Sequence, residues 1–521
     1  MTRMQISRDS ETGAHSSPAV LSPHAALRAA LWLVLLAVVA FTKTDPDLWG
    51  HVRFGMDIVQ AGAPRLADTY SFTTDREWIN HEWAAEAVFG GAYLAAGSAG
   101  LVAVKVLVVL AVLLLLNRRL RVEGVGIPRQ RDLLAAAAVI ATIEQAHHVR
   151  PQIFSLLGFA VLLTVLQLAR RDRRALAALP VLFALWSNFH GGWIVGGGVL
   201  LLWTAGLALS RPVDVRAILW HALAGVASLA ATLLNPHGAG LLAFLLETVG
   251  FGRADIVDWQ PVYALEPQIL VLWLVTAALA AVGLFIGWRQ GVPPERLIVV
   301  AALGIGSFRV NRLLAFFALA TLFLLGTALA SRLPRFDGAN AAPMRRRTAA
   351  VAVALAVLLI AGAVRYMAAA ASCIQIDPRT TAHPGAVEFL KRTGASGRLL
   401  VWFNWGQYAL WHLAPELRVS MDGRRETVYS ASMQDRHLRF YFDAPGGAAL
   451  ASELGADYVW LPSDLPAVKR LTDEGWPRVF EGDGSVVFAE PSRASAGLAS
   501  SEGDPPVSEL AAAARRCFPG P

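Results

Sequence analysis

Apolar stretches of roughly 18 residues recur from Leu27 to Arg365, each closed by a short polar turn, and each reads as a membrane span. The pattern predicts spans over 25–43, 98–116, 132–148, 151–169, 175–188, 191–210, 217–234, 267–288, 296–308, 313–331 and 349–368, about 11 transmembrane helices. One polar interruption is long, at 44–97. After Ser372 the period changes. Short β-type runs at 397–403, 417–424, 456–462 and 485–490 alternate with helical stretches at 383–394 and 464–475, which argues a small α/β domain. The expected organisation is a polytopic α-helical membrane protein: a disordered tail over 1–24, a membrane domain over 25–370, an extracytoplasmic α/β domain over 371–491, and a mostly disordered tail over 492–521.

Composition agrees with this reading. The chain is 55% hydrophobic and 16% charged, well below the roughly 25% charge of a soluble domain. Its formal charge of +7 does not point to nucleic acid, because the basic residues sit in short clusters between apolar runs (117–131, 170–174, 288–296, 345–347). Such clusters mark cytoplasmic loops. They place the N-terminus inside and both the 44–97 loop and the C-terminal domain outside. The two cysteines, Cys373 and Cys517, then lie in a disulfide-permissive compartment. A bridge would tie the chain end to the last span; two unpaired thiols are the alternative.

The unusual polar residues collect at the predicted outer turns. His51, His81 and Glu82 fall in the long loop, His148 and Arg150 in "QAHHVRPQ", His190 in "SNFHGGW", His237 in "NPHG", and Arg309 and Arg312 in "FRVNR". Each turn alone has a plain explanation as a helix stop, a tight turn or a snorkelling arginine. Together, on one side, they describe a polar cavity, since ionisable groups at membrane ends usually line one. "TDPDLWGH" (44–51) also reads as helix-start grammar: Asp45 as N-cap, Pro46 at the first position and Asp47 in the first turn. "MDGR" (421–424) reads most simply as a β-turn, and the tryptophans of 401–413 as core.

The order of motifs resembles the GT-C superfamily of membrane glycosyltransferases, and within it a bacterial group with an acid-x-acid-x-W-W-H motif. The chain supplies Asp45, Asp47, Trp49 and His51, then "ADTYSFT", Glu82-Trp83, "RPQIFSLL", "LWSNFHGGW", "NPHG" and "MDGR", departing at Gly50, where a second Trp is usual. The resemblance covers nearly the whole chain. It implies a long first outer loop with helices along the membrane, here "LWGHVRFGMDIVQAG" and "HEWAAEAVFGGAYLAAG". It also implies transfer, with inversion, of a sugar from a polyprenyl-phosphate-linked donor to a glycan, lipid or protein acceptor at the outer face of the bacterial cytoplasmic membrane.

By the same resemblance the first-loop acid is the catalytic base, carried to Asp47 or Asp45. These two with His51 are a candidate Mg²⁺ or Mn²⁺ set. Candidates for the leaving phosphate and the substrate are His51, His81, Glu82, His148, Arg150, His190, His237, Arg309 and Arg312, because a planar guanidinium suits phosphate. Three other readings remain: a lipid-linked oligosaccharide ligase or polymerase, a transporter, or a scaffold without chemistry.

Overall fold

The computed structural model describes residues 22–248, 257–334, 345–382, 384–482, 484–494, 501–502 and 516–520. The expected disordered tails lie mostly outside these residues.

Helix α1 (Pro23–Ala40) starts where Ser22 Oγ accepts from the Ala25 N–H, with Pro23 in the first turn. Between it and the next membrane helix lies the long loop. This opens with α2 (Leu48–Ala61), an amphipathic helix stopped by Gly62 in the left-handed region. Helix α3 (Trp83–Val122) contains both the second surface helix and the next membrane run. The two are separated by a kink at Ala96 and Gly97, where Gly97 has φ 57°, a conformation that glycine adopts without a Cβ penalty. The surface helices thus fall where the sequence places them.

The chain continues through α4 (Pro128–Ala146), α5 (Gln152–Ala169), α6 (Ala178–Phe189), α7 (Trp193–Ala208), α8 (Val215–Ala231), α9 (Gly240–Thr248), α10 (Pro267–Arg289), α11 (Pro294–Arg309), α12 (Leu314–Ala330) and α13 (Arg346–Ser372). Every predicted span carries a helix. Among the described residues, however, only six helical runs are both long and apolar enough to cross a membrane: α1, α3, α5, α10, Asn311–Ala330 and α13. Polar turns end several others early, as at His190, which closes the 12-residue α6. Helix α12 is buried along nearly its whole length and forms the centre of the bundle. Helix α13 is mostly exposed and packs on α1.

The C-terminal domain runs α14 (Pro384–Arg392), β1 (Gly397–Val401), α15 (Gly406–Leu413), β2 (Leu417–Val419), α16 (Ala431–Tyr441), α17 (Leu450–Glu453), β3 (Tyr458–Pro462), α18 (Pro466–Asp473), β4 (Arg478–Gly482), β5 (Ser485–Ala489) and β6 (Ser501–Glu502). The sheet order is β2-β1-β3-β5-β4-β6, with β2, β1 and β3 parallel and β5 antiparallel to both β3 and β4. Strand β4 is not evident in the sequence, because "RVFEG" has only two strongly apolar residues. Successive residues face opposite sides. Leu399, Val401 and Trp460 join a core with α14, α15 and the long loop, while Leu400, Val459 and Leu461 join one with α16 to α18.

The first of these cores also contains Trp49, Phe54, Tyr70, Trp78 and Phe89, so it runs without a break from the long loop into the C-terminal domain. Backbone pairing reinforces the joint. Val419 N–H donates to Tyr70 O (3.2 Å) and Phe72 N–H to Val419 O (3.1 Å), covering the edge of β2. Residues 42–44, 374–376 and 516–518 form a second small ladder, and Cys373 and Cys517 are joined by a disulfide.

Candidate functional site

Asp45 turns the chain into α2. Its Oδ1 accepts from the Asp47 N–H (2.8 Å), and Asp47 is the residue before the first helical turn. The helix therefore starts two residues later than the sequence suggests, with Asp45 closing an Asx-type turn. This frees the Asp47 carboxylate from capping and points it at Arg150.

Arg150 is the centre of the acidic cluster. Its Nη2 donates to Asp47 Oδ2 (2.6 Å), its Nε lies 3.1 Å from Asp45 Oδ1, and its Nη1 lies 3.7 Å from Asp258 Oδ2. Asp45 is buried, whereas a quarter of the Asp47 side chain faces solvent. The two carboxyls differ in charge preference. Burial works against ionising Asp45, but Arg150, His148, His51 and the Asp47 N–H outweigh it and hold the group below its ordinary value. For Asp47, burial and the neighbouring Asp45 and Glu82 carboxylates outweigh Arg150 and His51, and the carboxyl is raised.

A second cluster adjoins the first. Burial opposes charge on His51, but its Nδ1 hydrogen bond to Glu86 Oε1 (3.1 Å) and the Glu82 and Asp47 carboxylates lift it to about 9. Asn80 Nδ2 donates to the other Glu86 oxygen (2.6 Å). Glu82 Oε1 lies 3.7 Å from His81 Nε2 and 3.6 Å from His190 Nε2. Trp186 Nε1–H donates to Ser155 Oγ (2.8 Å), which leaves the Ser155 hydroxyl to donate to His190 Nδ1 (2.6 Å). Gly192 N–H donates to that same nitrogen, and Arg312 Nη2 lies 2.9 Å from Nε2. A neutral ring accepts on one nitrogen and carries its proton on the other; burial pushes His190 down to about 3 and keeps it neutral.

The sequence motifs meet here through side-chain bonds. Trp83 Nε1–H donates to Asn188 Oδ1 (2.7 Å), and Asn188 Nδ2 donates to Leu234 O (2.9 Å). His237 Nε2–H reaches Asn80 O (3.3 Å). The Arg312 guanidinium stands 5.6 Å from the Trp259 ring centre, and Asn311 N–H donates to Gln260 O (3.0 Å). His148 Nδ1–H donates to Lys43 O (3.2 Å), 3.8 Å from Asp45 Oδ2. Arg309 is the exception. It ends α11 exposed to solvent, and none of the ion pairs among the described residues involves it.

The proposed metal set does not survive this geometry. Arg150 occupies the space between Asp45 and Asp47, and His51 Nδ1 turns away to Glu86 Oε1 (3.1 Å). Among the described residues no group of three or more His, Cys, Asp or Glu side chains is placed to hold a metal ion. The residues present do not fit a divalent cation.

The "MDGR" turn is more than a β-turn. Arg424 donates to Asp422 (Nη2–Oδ2, 2.7 Å) and to Asp68 of the long loop (Nη1–Oδ1, 2.7 Å), and Tyr429 O–H donates to Asp422 (3.1 Å). Its guanidinium is wrapped by Phe54, Tyr70 and Trp78, with ring centres 4.8–5.5 Å away. Gly423 packs on Asp47, and Gly50 N–H donates to Gln407 Oε1 (3.1 Å). Gln407 fills the space beside Gly50, so a tryptophan has no room there. Sequence reading missed Asp68, Glu86, Asn80 and Ser155. Asp68 lies within "ADTYSFT" and Ser155 within "RPQIFSLL", so both carried a motif signal without a role, and Glu86 falls one helical turn after Glu82.

This arrangement, a surface-helix loop packed between a helical bundle and a C-terminal domain, is similar in fold to several solved structures, each 13–18% identical in sequence. Solved structures with this architecture include the oligosaccharyltransferase AglB of Archaeoglobus fulgidus in complex with an inhibitory peptide and a dolichol-phosphate (TM-score 0.55, 14% identity, covering 84% of this chain and 69% of that one). ArnT of Cupriavidus metallidurans bound to undecaprenyl phosphate matches over 92% of this chain and 98% of its own (TM-score 0.53, 13% identity). The mycobacterial arabinofuranosyltransferase AftD matches over 90% of this chain and 40% of its own (TM-score 0.50, 18% identity). No protein-family profile and no curated protein matches the sequence.

Proposed function

We propose that the protein transfers a sugar from a polyprenyl-phosphate-linked donor to an acceptor hydroxyl at the outer face of a bacterial cytoplasmic membrane. The observation that carries this reading is the placement of Asp47. It is a partly exposed carboxylate with a raised affinity for protons, fixed at the start of the first-loop helix on a GT-C fold.

Asp47 takes the proton of the acceptor hydroxyl as that oxygen attacks the anomeric carbon. The bond from the sugar to the lipid phosphate breaks, and the bonding pair leaves on the phosphate. Attack from the face opposite the leaving group inverts the anomeric centre. Asp45 and Asp258 hold Arg150, which keeps Asp47 oriented and poised. Arg312 provides the cation for the leaving phosphate, set in place by Trp259 and the neutral His190. His81 and His237 line the same region as further donors. The test is transfer by purified protein in lipid with a panel of polyprenyl-phosphate sugars and a hydroxyl acceptor. Release of polyprenyl phosphate together with an acceptor-linked sugar is expected. No turnover with any donor would count against the reading.

A further inference from the structure

Lys105 is a lone charge in the apolar run of α3, two helical turns past the Gly97 kink and about 12 Å along the axis from it. It is wholly buried, and none of the ion pairs among the described residues includes it. An ionisable side chain at such a depth is costly and usually tied to function. Its Nζ has three oxygen partners: Phe41 O (2.8 Å), Thr42 Oγ1 (2.7 Å) and His147 O (3.3 Å). Phe41 and His147 are the residues that close α1 and α4. Carbonyls at helix C-termini lack intrahelical donors and carry the negative end of the helix dipole. Three ammonium N–H groups therefore satisfy an acceptor set drawn from two helix ends.

The two ends lead straight into the candidate site. Four residues after Phe41 comes Asp45; three after His147 comes Arg150. Beyond Lys105 the two segments stay paired, through Lys43 N–H to His147 O (3.4 Å) and His148 Nδ1–H to Lys43 O (3.2 Å). We propose that Lys105 is a positioning residue: by clamping the carbonyl ends of α1 and α4 together, it sets the spacing between the Asp45–Asp47 turn and Arg150. The kinetic consequence of that spacing rests on the transferase reading; the clamp itself does not.

The experiment uses the full chain in lipid nanodiscs, with Lys105→Met as the main variant. Thr42→Val, which removes one acceptor and leaves the lysine in place, serves as the second variant should the first not fold. Backbone hydrogen exchange is read at Lys43, Thr44 and Asp47, and melting is followed in parallel. Exchange at these amides is expected to rise about 10-fold in Lys105→Met and about 3-fold in Thr42→Val, with other helices unchanged. If sugar transfer is observed in the parent, kcat is expected to fall at least about 10-fold with donor KM within about 2-fold, the pattern of misplaced rather than missing groups. Exchange at parental rates, or a uniform rise across the whole bundle, overturns the proposal. A parent that transfers no sugar from any donor removes the transferase reading, and the exchange result then decides the clamp alone.

Discussion

Gly423 of the C-terminal domain lies directly against the carboxylate of Asp47, so closely that a Cβ at position 423 would collide with Asp47 Oδ1 and meet Gln407 Nε2 at 3.0 Å. The C-terminal domain is therefore part of the wall around the acid. Gly423→Ala forces either Asp47 or the 421–424 turn to move. Overpacking of this kind costs about 1–3 kcal/mol. The expected outcome is a folded protein with a modestly lower melting temperature and transfer reduced at least about 10-fold, since small misplacements of reacting groups are expensive. Comparison of the melting temperature with the transfer rate separates the two effects.

Arg424 joins the long loop to the C-terminal domain through Asp68, Asp422 and three aromatic rings. Arg424→Met leaves two carboxylates buried without a cation, and removing one partner of a buried pair costs about 3–5 kcal/mol. Arg424→Lys is not expected to rescue, because an ammonium cannot serve both carboxylates through a planar fork while stacking on the rings. Proteolysis of the 62–82 segment in the two variants, relative to the parent, reads this directly: both are expected to cut faster.

The pattern of apolar and polar positions locates the helices, the surface pair in the long loop and four strands of the sheet, because burial in lipid or in a core leaves a clear period. The site is legible only as a set of turns. That "EW", "SNFHGG" and "NPHG" touch depends on Trp83, Asn188 and Leu234 coming together across three helix ends, and no local pattern encodes that. "MDGR" is the clearest case. A β-turn explains it locally, while its partner Asp68 lies more than 300 residues away. Arg309 and Arg312 look equivalent in sequence, yet the turn after α11 exposes one and directs the other onto His190. Arg150, a phosphate candidate by residue type, is paired with the Asp45, Asp47 and Asp258 carboxylates, none of which its own sequence neighbourhood reveals.

His51 makes stability depend on pH. Its folded value of about 9 lies above the ordinary 6.5, so the protonated ring favours the folded state. That contribution, at most about 3 kcal/mol, is complete below pH 6.5, declines between 6.5 and 9, and is gone above 9. Thermal unfolding of the parent is expected to weaken over that window. In His51→Gln the loss over the same window should be smaller; an unchanged slope contradicts the assignment.

The Cys373–Cys517 disulfide pins the chain end against α2. Phe518 sits among Trp49, Tyr93 and Trp411, and Pro519 O accepts from Trp49 Nε1 (2.8 Å) and His412 Nε2 (3.0 Å). Cys373→Ser with Cys517→Ser is expected to lower stability by about 2–4 kcal/mol. It should also raise the solvent accessibility of Trp49, measured by indole fluorescence quenching against a Trp49→Phe control.

Asp47 and Asp45 differ in their expected roles, and replacing each singly with Asn tests the account most directly. Steady-state transfer by the purified protein in lipid is the measurement. Asp47→Asn is expected to lose about 10²–10⁴ in kcat with donor KM little changed, the range of a missing general base. In the parent, the rate should fall as pH drops through a value above the ordinary 3.8, where Asp47 takes up its proton. Asp45→Asn is expected to lower thermal stability as well as rate, because Arg150 loses a buried partner. Parental kcat in a well-folded Asp47→Asn protein would contradict the assignment of Asp47 as the base.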